Sequence, residues 1–186
     1  MYRLAFFLMF GCGWSAAAEP LTVLVVYYSE TGNTEKMAKA VAEGAGSVEG
    51  VESVTKKVGE VTQEDLESAD GLALGSPVYM GDVAPALREA AVRWSNDFGI
   101  WDSRGLKDKA GAVFATGAFP SNGKEFTMLS LAQVMLQFEM VLVSPRGSVG
   151  ASATTYRPDE GVDEIELGIA KGLGARLAET AKRLKE

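Results

Sequence analysis

The chain has 186 residues, with 18 basic and 25 acidic side chains and a formal net charge of −7. This acidic balance argues against nucleic acid or an anionic membrane surface as a partner, because both carry negative charge themselves. Histidine is absent and Cys12 is the only cysteine. The composition therefore excludes histidine acid–base relays and the usual histidine metal sites, and we expect no metal centre.

Residues 1–18 have the layout of a secretory signal peptide. One positive charge at Arg3 precedes an apolar run, and a row of alanines precedes the expected cleavage point. The sequence therefore predicts export to the periplasm or another extracytoplasmic compartment, with a single domain over residues 19–186. Two alternatives stay open: lipid attachment at Cys12, or a misassigned start and a cytoplasmic protein.

The next segment is the most informative about function. An apolar run from Leu21 predicts a buried strand, and a helical pattern opens at Thr34. The first amide N–H groups of a helix have no partner within it, so their partial positive charge attracts anions. Hydroxyls and a glycine fill the turn between strand and helix, which favours a phosphate monoester held by Ser29, Glu30, Thr31, Gly32, Asn33 and Thr34. The alternative is a tight turn with Asn33 as the helix N-cap and no ligand.

Apolar runs and helical patterns alternate along the rest of the chain. Further strands are predicted at 51–58, 70–77, 110–116 and 140–143, and helices at 34–45, 63–68, from 84, at 126–138 and at 163–184. The pattern at 126–138 is apolar almost all round, which predicts a helix that is buried or lies in a subunit contact. The alternation predicts an α/β fold with a doubly wound five-stranded parallel sheet in a three-layer αβα sandwich.

Ligands of doubly wound folds bind outside the carboxyl ends of the strands, where the strand order reverses. Two further loops are predicted at this edge, beside the phosphate turn. One follows the third strand and offers an aromatic ring and a thioether in Pro77, Val78, Tyr79, Met80 and Gly81. The other follows the fourth strand and offers small residues with backbone donors in Ala115, Thr116, Gly117, Ala118, Phe119 and Pro120. Together the loops favour a planar phosphorylated ligand, although turn chemistry alone would account for each one separately.

The phosphate turn resembles the phosphate loop of the flavodoxins, which bind FMN. Similarity to the WrbA-type NAD(P)H:quinone oxidoreductases covers most of residues 19–186. It is carried by Tyr27-Tyr28-Ser29, Met37 to Ala45, Gly75-Ser76-Pro77 with Gly81, and Gly150 to Thr155. The resemblance implies that FMN is the cofactor and that Ser29 to Thr34 hold its phosphate. It also implies that Val78 to Met80 line the isoalloxazine ring, while Ala115 to Pro120 face the ring's polar edge.

The resemblance also implies two substrate residues. Trp101 falls where the family has a tryptophan by the substrate pocket, with an ordinary packing tryptophan as the alternative. Gln137 stands where the family has a histidine near the flavin, and a glutamine cannot carry a proton at neutral pH. Two long insertions that the family links to its tetramer are absent, so a homo-oligomer remains an open expectation.

The sequence leaves three functions to distinguish. The first is an FMN-dependent quinone reductase whose chemistry takes place on the flavin, with no catalytic side chain of its own. NAD(P)H is its donor by resemblance, and a membrane quinol or redox protein becomes the better donor if the protein is exported. The second is a flavodoxin-type electron carrier that serves a protein partner, and the third is a flavin-free binding module.

Overall fold

The computed structural model describes residues 19–156 and 161–186, so the predicted signal peptide and Cys12 lie outside the described residues. The strands lie at Leu21–Tyr27 (β1), Val51–Lys57 (β2), Gly71–Tyr79 (β3), Asp82–Val83 (β4), Ala110–Gly117 (β5), Val141–Leu142 (β6) and Ala151–Thr154 (β7). The α-helices lie at Asn33–Gly46 (α1), Gln63–Ser68 (α2), Pro85–Asn96 (α3), Ile100–Ser103 (α4), Lys124–Gln137 (α5) and Glu164–Lys185 (α6), with a 3₁₀ turn at Val58–Glu60. Among these helices, none combines the length and the apolar character needed to cross a membrane.

The sheet has five parallel positions in the order β2-β1-β3-β5, with β6 and β7 sharing the fifth. The strand order reverses between β1 and β3. After β1 the chain first adds β2 on one side of β1 and then crosses over to add β3 on the other side. The short strand β4 pairs antiparallel with the end of β3 and lies off this path. The predicted doubly wound parallel sheet is therefore confirmed.

The fifth position differs from the prediction of one strand at 140–143. Strand β6 has two residues and pairs with the start of β5, whereas β7 pairs with the end of β5 from Phe114 to Gly117. Residues 143–150 lie between the two strands and interrupt the ladder. The sequence of β7, Ala-Ser-Ala-Thr, contains no large apolar side chain, so no hydrophobic run marked it as a strand.

Helices cover both faces of the sheet and produce two separate cores. Val23 and Val25 of β1 point to the face covered by α1 and α6, while Leu24 and Val26 point to the face covered by α3 and α5. This alternation follows from the period of two residues along a strand. The predicted three-layer αβα sandwich is confirmed.

Helix α5 begins two residues before its predicted start and is not buried on every side. Met128, Leu131 and Met135 face the core, but Phe126 and Leu129 are more than half exposed. Burial on every side, the first of the two expectations for this helix, is therefore wrong, whereas a subunit contact through its outer face stays a prediction. The inner face is what fixes its position against β3 and β5.

Candidate functional site

Strands β1, β3 and β5 are parallel neighbours, so their carboxyl ends meet at one edge of the sheet. We call this the carboxyl edge. Three segments meet there: the first loop (residues 29–34), the second loop (residues 77–81) and the third loop (residues 115–120). The structure thus brings together all the residues predicted to bind the cofactor.

The first loop ends in a left-handed glycine that starts helix α1. Gly32 has φ +85° and is the N-cap of α1, so the alternative that made Asn33 the cap is wrong. The first helical hydrogen bond runs from the Lys36 N–H to the Gly32 carbonyl. The N–H groups of Asn33, Thr34 and Glu35 precede that bond and have no partner within the helix. They form the anion-attracting end of α1.

Side chains of the first loop shape this end of the helix. The Ser29 hydroxyl oxygen accepts a hydrogen bond from the Gly32 N–H at 3.1 Å, which closes the turn. The Asn33 amide donates to the Thr31 hydroxyl oxygen at 3.3 Å. No heavy atom lies within 4 Å of the position that a Cβ on Gly32 would take, so the backbone there is open to a ligand.

Thr34 differs from its predicted role as a side-chain donor on the open face of the turn. It is 1% exposed, and its hydroxyl lies 2.7 Å from the buried Thr116 hydroxyl at the end of β5. This contact ties the first loop to the third. Helical spacing could have indicated this, because Thr34 lies three and seven residues before Met37 and Val41 on the buried face of α1.

The second loop is tighter than predicted. Strand β3 continues through Tyr79, and Val78 and Tyr79 pair with β4, so only Met80 and Gly81 form the turn. Both have positive φ, +51° and +84°, which is the backbone pattern of a two-residue hairpin turn. The Met80 side chain is fully exposed at the tip.

A carboxylate and two tyrosines connect the second loop to the first. The Tyr28 hydroxyl donates to Glu30 at 2.6 Å, and the Tyr28 ring meets the Tyr79 ring edge-on with centroids 6.0 Å apart. Burial, followed by the neighbouring Glu30 carboxylate, raises the pKa of Tyr79 to about 12. The hydrogen bond from Tyr28 lowers the pKa of Glu30. At neutral pH the cluster therefore holds a fixed negative charge beside two protonated phenols.

The third loop has its carbonyl groups turned toward the protein. The Gly117 carbonyl accepts from the Thr155 N–H at 2.8 Å, and the Ala118 carbonyl accepts from the Tyr156 N–H at 3.0 Å. The Phe119 ring is half exposed and lies 5.3 Å from the Tyr156 ring. These hydrogen bonds fix the Gly117 and Ala118 peptides against the segment that follows β7.

The second loop also contacts the start of helix α5, just after the third loop. Gly123 follows the third loop with φ +99°, and a Cβ at this position would lie 2.6 Å from the Gly81 carbonyl oxygen. Only a glycine permits this close approach. The three loops therefore form one continuous surface, with a helix N-terminus at one side and exposed Met80 and Phe119 farther along.

Trp101 and Gln137 lie elsewhere. They share a groove with Phe138, between α4 and the end of α5. Helix α5 starts beside the third loop and runs 14 residues to Gln137. At 1.5 Å per residue, Gln137 is about 20 Å from the carboxyl edge. Within one chain, the structure does not bring these two residues to the three loops.

The donor set at the carboxyl edge fits FMN. Amide N–H groups and hydroxyls in the first loop suit a phosphate, and an aromatic, a thioether and backbone donors in the other loops suit a flat heteroaromatic ring. Among the residues that the structure describes, no cluster of acidic or sulfur side chains could hold a metal ion.

Comparisons with known proteins agree with this geometry. The family model for flavodoxin matches residues 25–129. A flavodoxin from Aquifex aeolicus is 36% identical over 163 residues, covering 84% of this chain and 85% of that protein. An NAD(P)H dehydrogenase (quinone) from Archaeoglobus fulgidus is 31% identical over 195 residues, covering 87% of this chain and 98% of that protein.

A solved structure extends the similarity to three dimensions. The flavodoxin, WrbA-like protein from Agrobacterium tumefaciens has a TM-score of 0.75 and 27% identity, covering 88% of this chain and 98% of that one. The segment that matches the family model includes all three loops. The chain therefore belongs to the flavodoxin family, whose cofactor is FMN.

Proposed function

We propose that this protein is an FMN-dependent oxidoreductase that reduces quinones, with NAD(P)H as the electron donor. The observation that carries the proposal is the continuous three-loop surface at the carboxyl edge, which suits both ends of FMN. Relatives named NAD(P)H dehydrogenase (quinone), which this chain matches over nearly their full length, support the choice of acceptor and donor.

The first loop would hold the phosphate. Backbone N–H groups of Asn33, Thr34 and Glu35 supply donors at the helix N-terminus, and the Thr31 side chain supplies a hydroxyl. Residues 29–34 include no lysine or arginine, so the amide N–H groups supply most of the attraction for the phosphate. In this assignment the backbone recognises the phosphate, and Gly32 leaves room for the phosphate to come close to it.

The second and third loops would hold the ring. Val78, Tyr79 and Met80 line one side, and the third loop brings backbone donors and the Phe119 ring to the other. FMN, when bound, supplies hydride and single-electron chemistry, so the protein needs no catalytic side chain of its own. Tyr79, with its pKa near 12, keeps its proton throughout the physiological range and remains a hydrogen-bond donor.

The quinone would approach the exposed side of the ring. Trp101 and Gln137 lie at the opposite edge of the same chain, so they would reach a quinone there only from another copy in a homo-oligomer. In a monomer, ordered solvent would supply protons in place of a histidine, which the chain does not contain.

Reconstitution tests the proposal directly. Full-length purified protein is refolded with FMN, its visible spectrum is recorded, and oxidation of NAD(P)H is followed with and without benzoquinone. We expect a yellow protein whose NAD(P)H oxidation depends on the quinone. A colourless protein would contradict the cofactor assignment. A yellow protein that does not turn over benzoquinone would contradict only the enzymatic assignment.

The second candidate function is an electron carrier for a protein partner. The 36% identity to a protein named flavodoxin favours it, as do the exposed Met80 and Phe119 side chains beside the proposed ring site. Such a carrier would be reduced and reoxidised by a redox protein without turning over small molecules. The benzoquinone assay separates the two functions.

We further propose export through residues 1–18, with FMN acquired after export. The intact mass of the protein isolated from its native compartment tests this. A chain that begins at Glu19 supports cleavage, an added acyl mass at Cys12 supports a lipid anchor, and the full-length mass contradicts both.

A further inference from the structure

We infer that Lys124 is a positioning residue for the flavin ring: its buried ammonium group holds the third loop in the conformation that faces the proposed ring site. This inference rests on the proposed FMN function and names a residue that the sequence alone did not single out.

The location of Lys124 is unusual for a charged side chain. It is the first residue of α5 and only 4% exposed. Burial of an ammonium group is costly unless hydrogen bonds compensate for the lost water. A cation at a helix N-terminus also opposes the helix dipole, so Lys124 does not serve the stability of α5. Its contacts outside the helix have to account for its position.

Two of those contacts lead to the third loop and to the end of β7. The Lys124 Nζ donates to the Phe119 carbonyl at 3.0 Å and to the Thr154 hydroxyl at 2.6 Å. Its aliphatic stem thus passes inward from α5 and ends between the loop and the end of β7. The amide N–H of Thr154 donates in turn to Glu166 at the start of α6, at 2.8 Å. Lys124 therefore connects the third loop to β7 and, through Thr154, to the start of α6.

The Phe119 carbonyl is the last of three consecutive carbonyls that face the protein. Gly117 and Ala118 have theirs fixed by backbone N–H groups that follow β7. Side chains hold the Phe119 carbonyl instead: the Lys124 ammonium group donates to it, and so does the Asn122 amide when its nitrogen faces the Phe119 oxygen.

Charge distinguishes these two side-chain donors. A hydrogen bond from an ammonium group is about twice as strong as one from a neutral amide. Without the ammonium, the Phe119 carbonyl loses its stronger donor, and the third loop can leave the conformation that it has beside the ring site. Lys124 thereby fixes the shape of the loop surface that meets the isoalloxazine edge.

A comparison of FMN with riboflavin tests this role. Riboflavin lacks the phosphate, so a defect at the ring end weakens both ligands by the same factor, whereas a defect at the first loop weakens FMN alone. For Lys124→Met in the full-length protein, we expect about a tenfold or larger increase in both dissociation constants. We also expect a changed visible circular dichroism spectrum of the bound flavin. Thr154→Val keeps the ammonium group and removes one acceptor, so a smaller change in the same direction is expected.

Lys171→Met is the matched control, because it removes the same charge from an exposed lysine that pairs with Glu43 on the far side of α1. It should leave both dissociation constants unchanged. If Lys124→Met fails to fold, Lys124→Gln and Thr154→Val give the same comparison. Wild-type affinity and an unchanged flavin spectrum in the Lys124 variant, even with a lowered unfolding temperature, would overturn the inference. So would a loss confined to FMN. Failure of the wild-type protein to bind either flavin would instead refute the proposed function.

Discussion

The carboxyl edge and the groove around Trp101 differ in how they are built. At the carboxyl edge, backbone groups are the main feature: Gly32, Gly81 and Gly123 have positive φ, and the first N–H groups of α1 have no partner within the helix. In the Trp101 groove, large side chains dominate, and an ion pair between Arg104 and Glu139 borders it. The two regions lie at opposite ends of helix α5.

The two regions also differ in how well the sequence predicts a ligand site there. A backbone site needs glycines and short polar residues at fixed turns, so its location follows from the turn pattern and the strand order. A side-chain groove needs only neighbouring bulky residues, and many surfaces meet that condition. The geometry of one chain therefore supports a ligand at the carboxyl edge much more strongly than at Trp101.

The largest effect is expected at Gly123, where the start of α5 meets the second loop. Alanine there would be strained by the left-handed backbone, by about 1–2 kcal/mol. Its Cβ would also meet the Gly81 carbonyl oxygen at 2.6 Å. The second and third loops have to separate, so we expect Gly123→Ala to weaken both FMN and riboflavin at least about a hundredfold, measured by fluorescence titration.

Gly99→Ala provides the control at the other region. Gly99 is also a left-handed N-cap, with φ +64°, but no heavy atom lies within 4 Å of its Cβ position. It should lower the free energy of unfolding by about 1–2 kcal/mol through backbone strain and leave flavin affinity unchanged. Equal losses of flavin affinity in both variants would mean that strain, and not the loop contact, causes the effect.

The next effect concerns the phosphate. Removing the Thr31 hydroxyl deletes one hydrogen bond to a charged group, worth about 1.5–3 kcal/mol. We expect Thr31→Ala to raise the FMN dissociation constant about ten- to a hundredfold and to leave that of riboflavin unchanged. A parallel loss for riboflavin would show that Thr31 acts on the ring or on the loop as a whole.

The sequence predicted the elements around this phosphate site well, for physical reasons. The apolar run of β1 and the polar turn after it specify a strand and a helix start that need no distant contact. The fold class followed from the alternation of such segments. Strand β7 was missed because its four small residues become a strand only by pairing with β5.

Side-chain roles were harder to predict than backbone roles. Thr34 was assigned to the ligand, but its hydroxyl contacts Thr116, 82 residues away in the chain. Lys124 begins the apolar helix α5 and looks in the sequence like any exposed lysine, since its burial depends on Thr154 and the third loop. Long-range contacts of this kind leave no local pattern.

A moderate effect is expected in the titration of Tyr79. Burial is the larger cause of its raised pKa and the Glu30 carboxylate the next. Glu30→Gln should therefore move the pKa from about 12 part of the way toward the ordinary value of 10.0. Ultraviolet absorbance titration, with Tyr79→Phe to identify the signal, measures the change.

The same shift predicts how stability depends on pH. The folded state binds the Tyr79 proton more tightly than the unfolded state, so this contribution is complete below pH 10 and is lost as the pH rises toward 12. The loss should be smaller in Glu30→Gln. An unchanged Tyr79 titration in that variant would mean that burial alone raises the pKa.

The smallest effect is expected at Trp101, and it tests the comparison between the two regions most directly. Trp101 is half exposed and shares its groove with Gln137, which lies about 20 Å from the carboxyl edge along α5. Trp101→Phe should leave the dissociation constants of both FMN and riboflavin within about twofold of the wild type at low protein concentration. If flavin affinity falls, and falls further as the protein is concentrated, the groove of one copy contributes to the site of another. If it falls equally at every concentration, the groove and the carboxyl edge are coupled within one chain, and the separation inferred from the length of α5 is wrong.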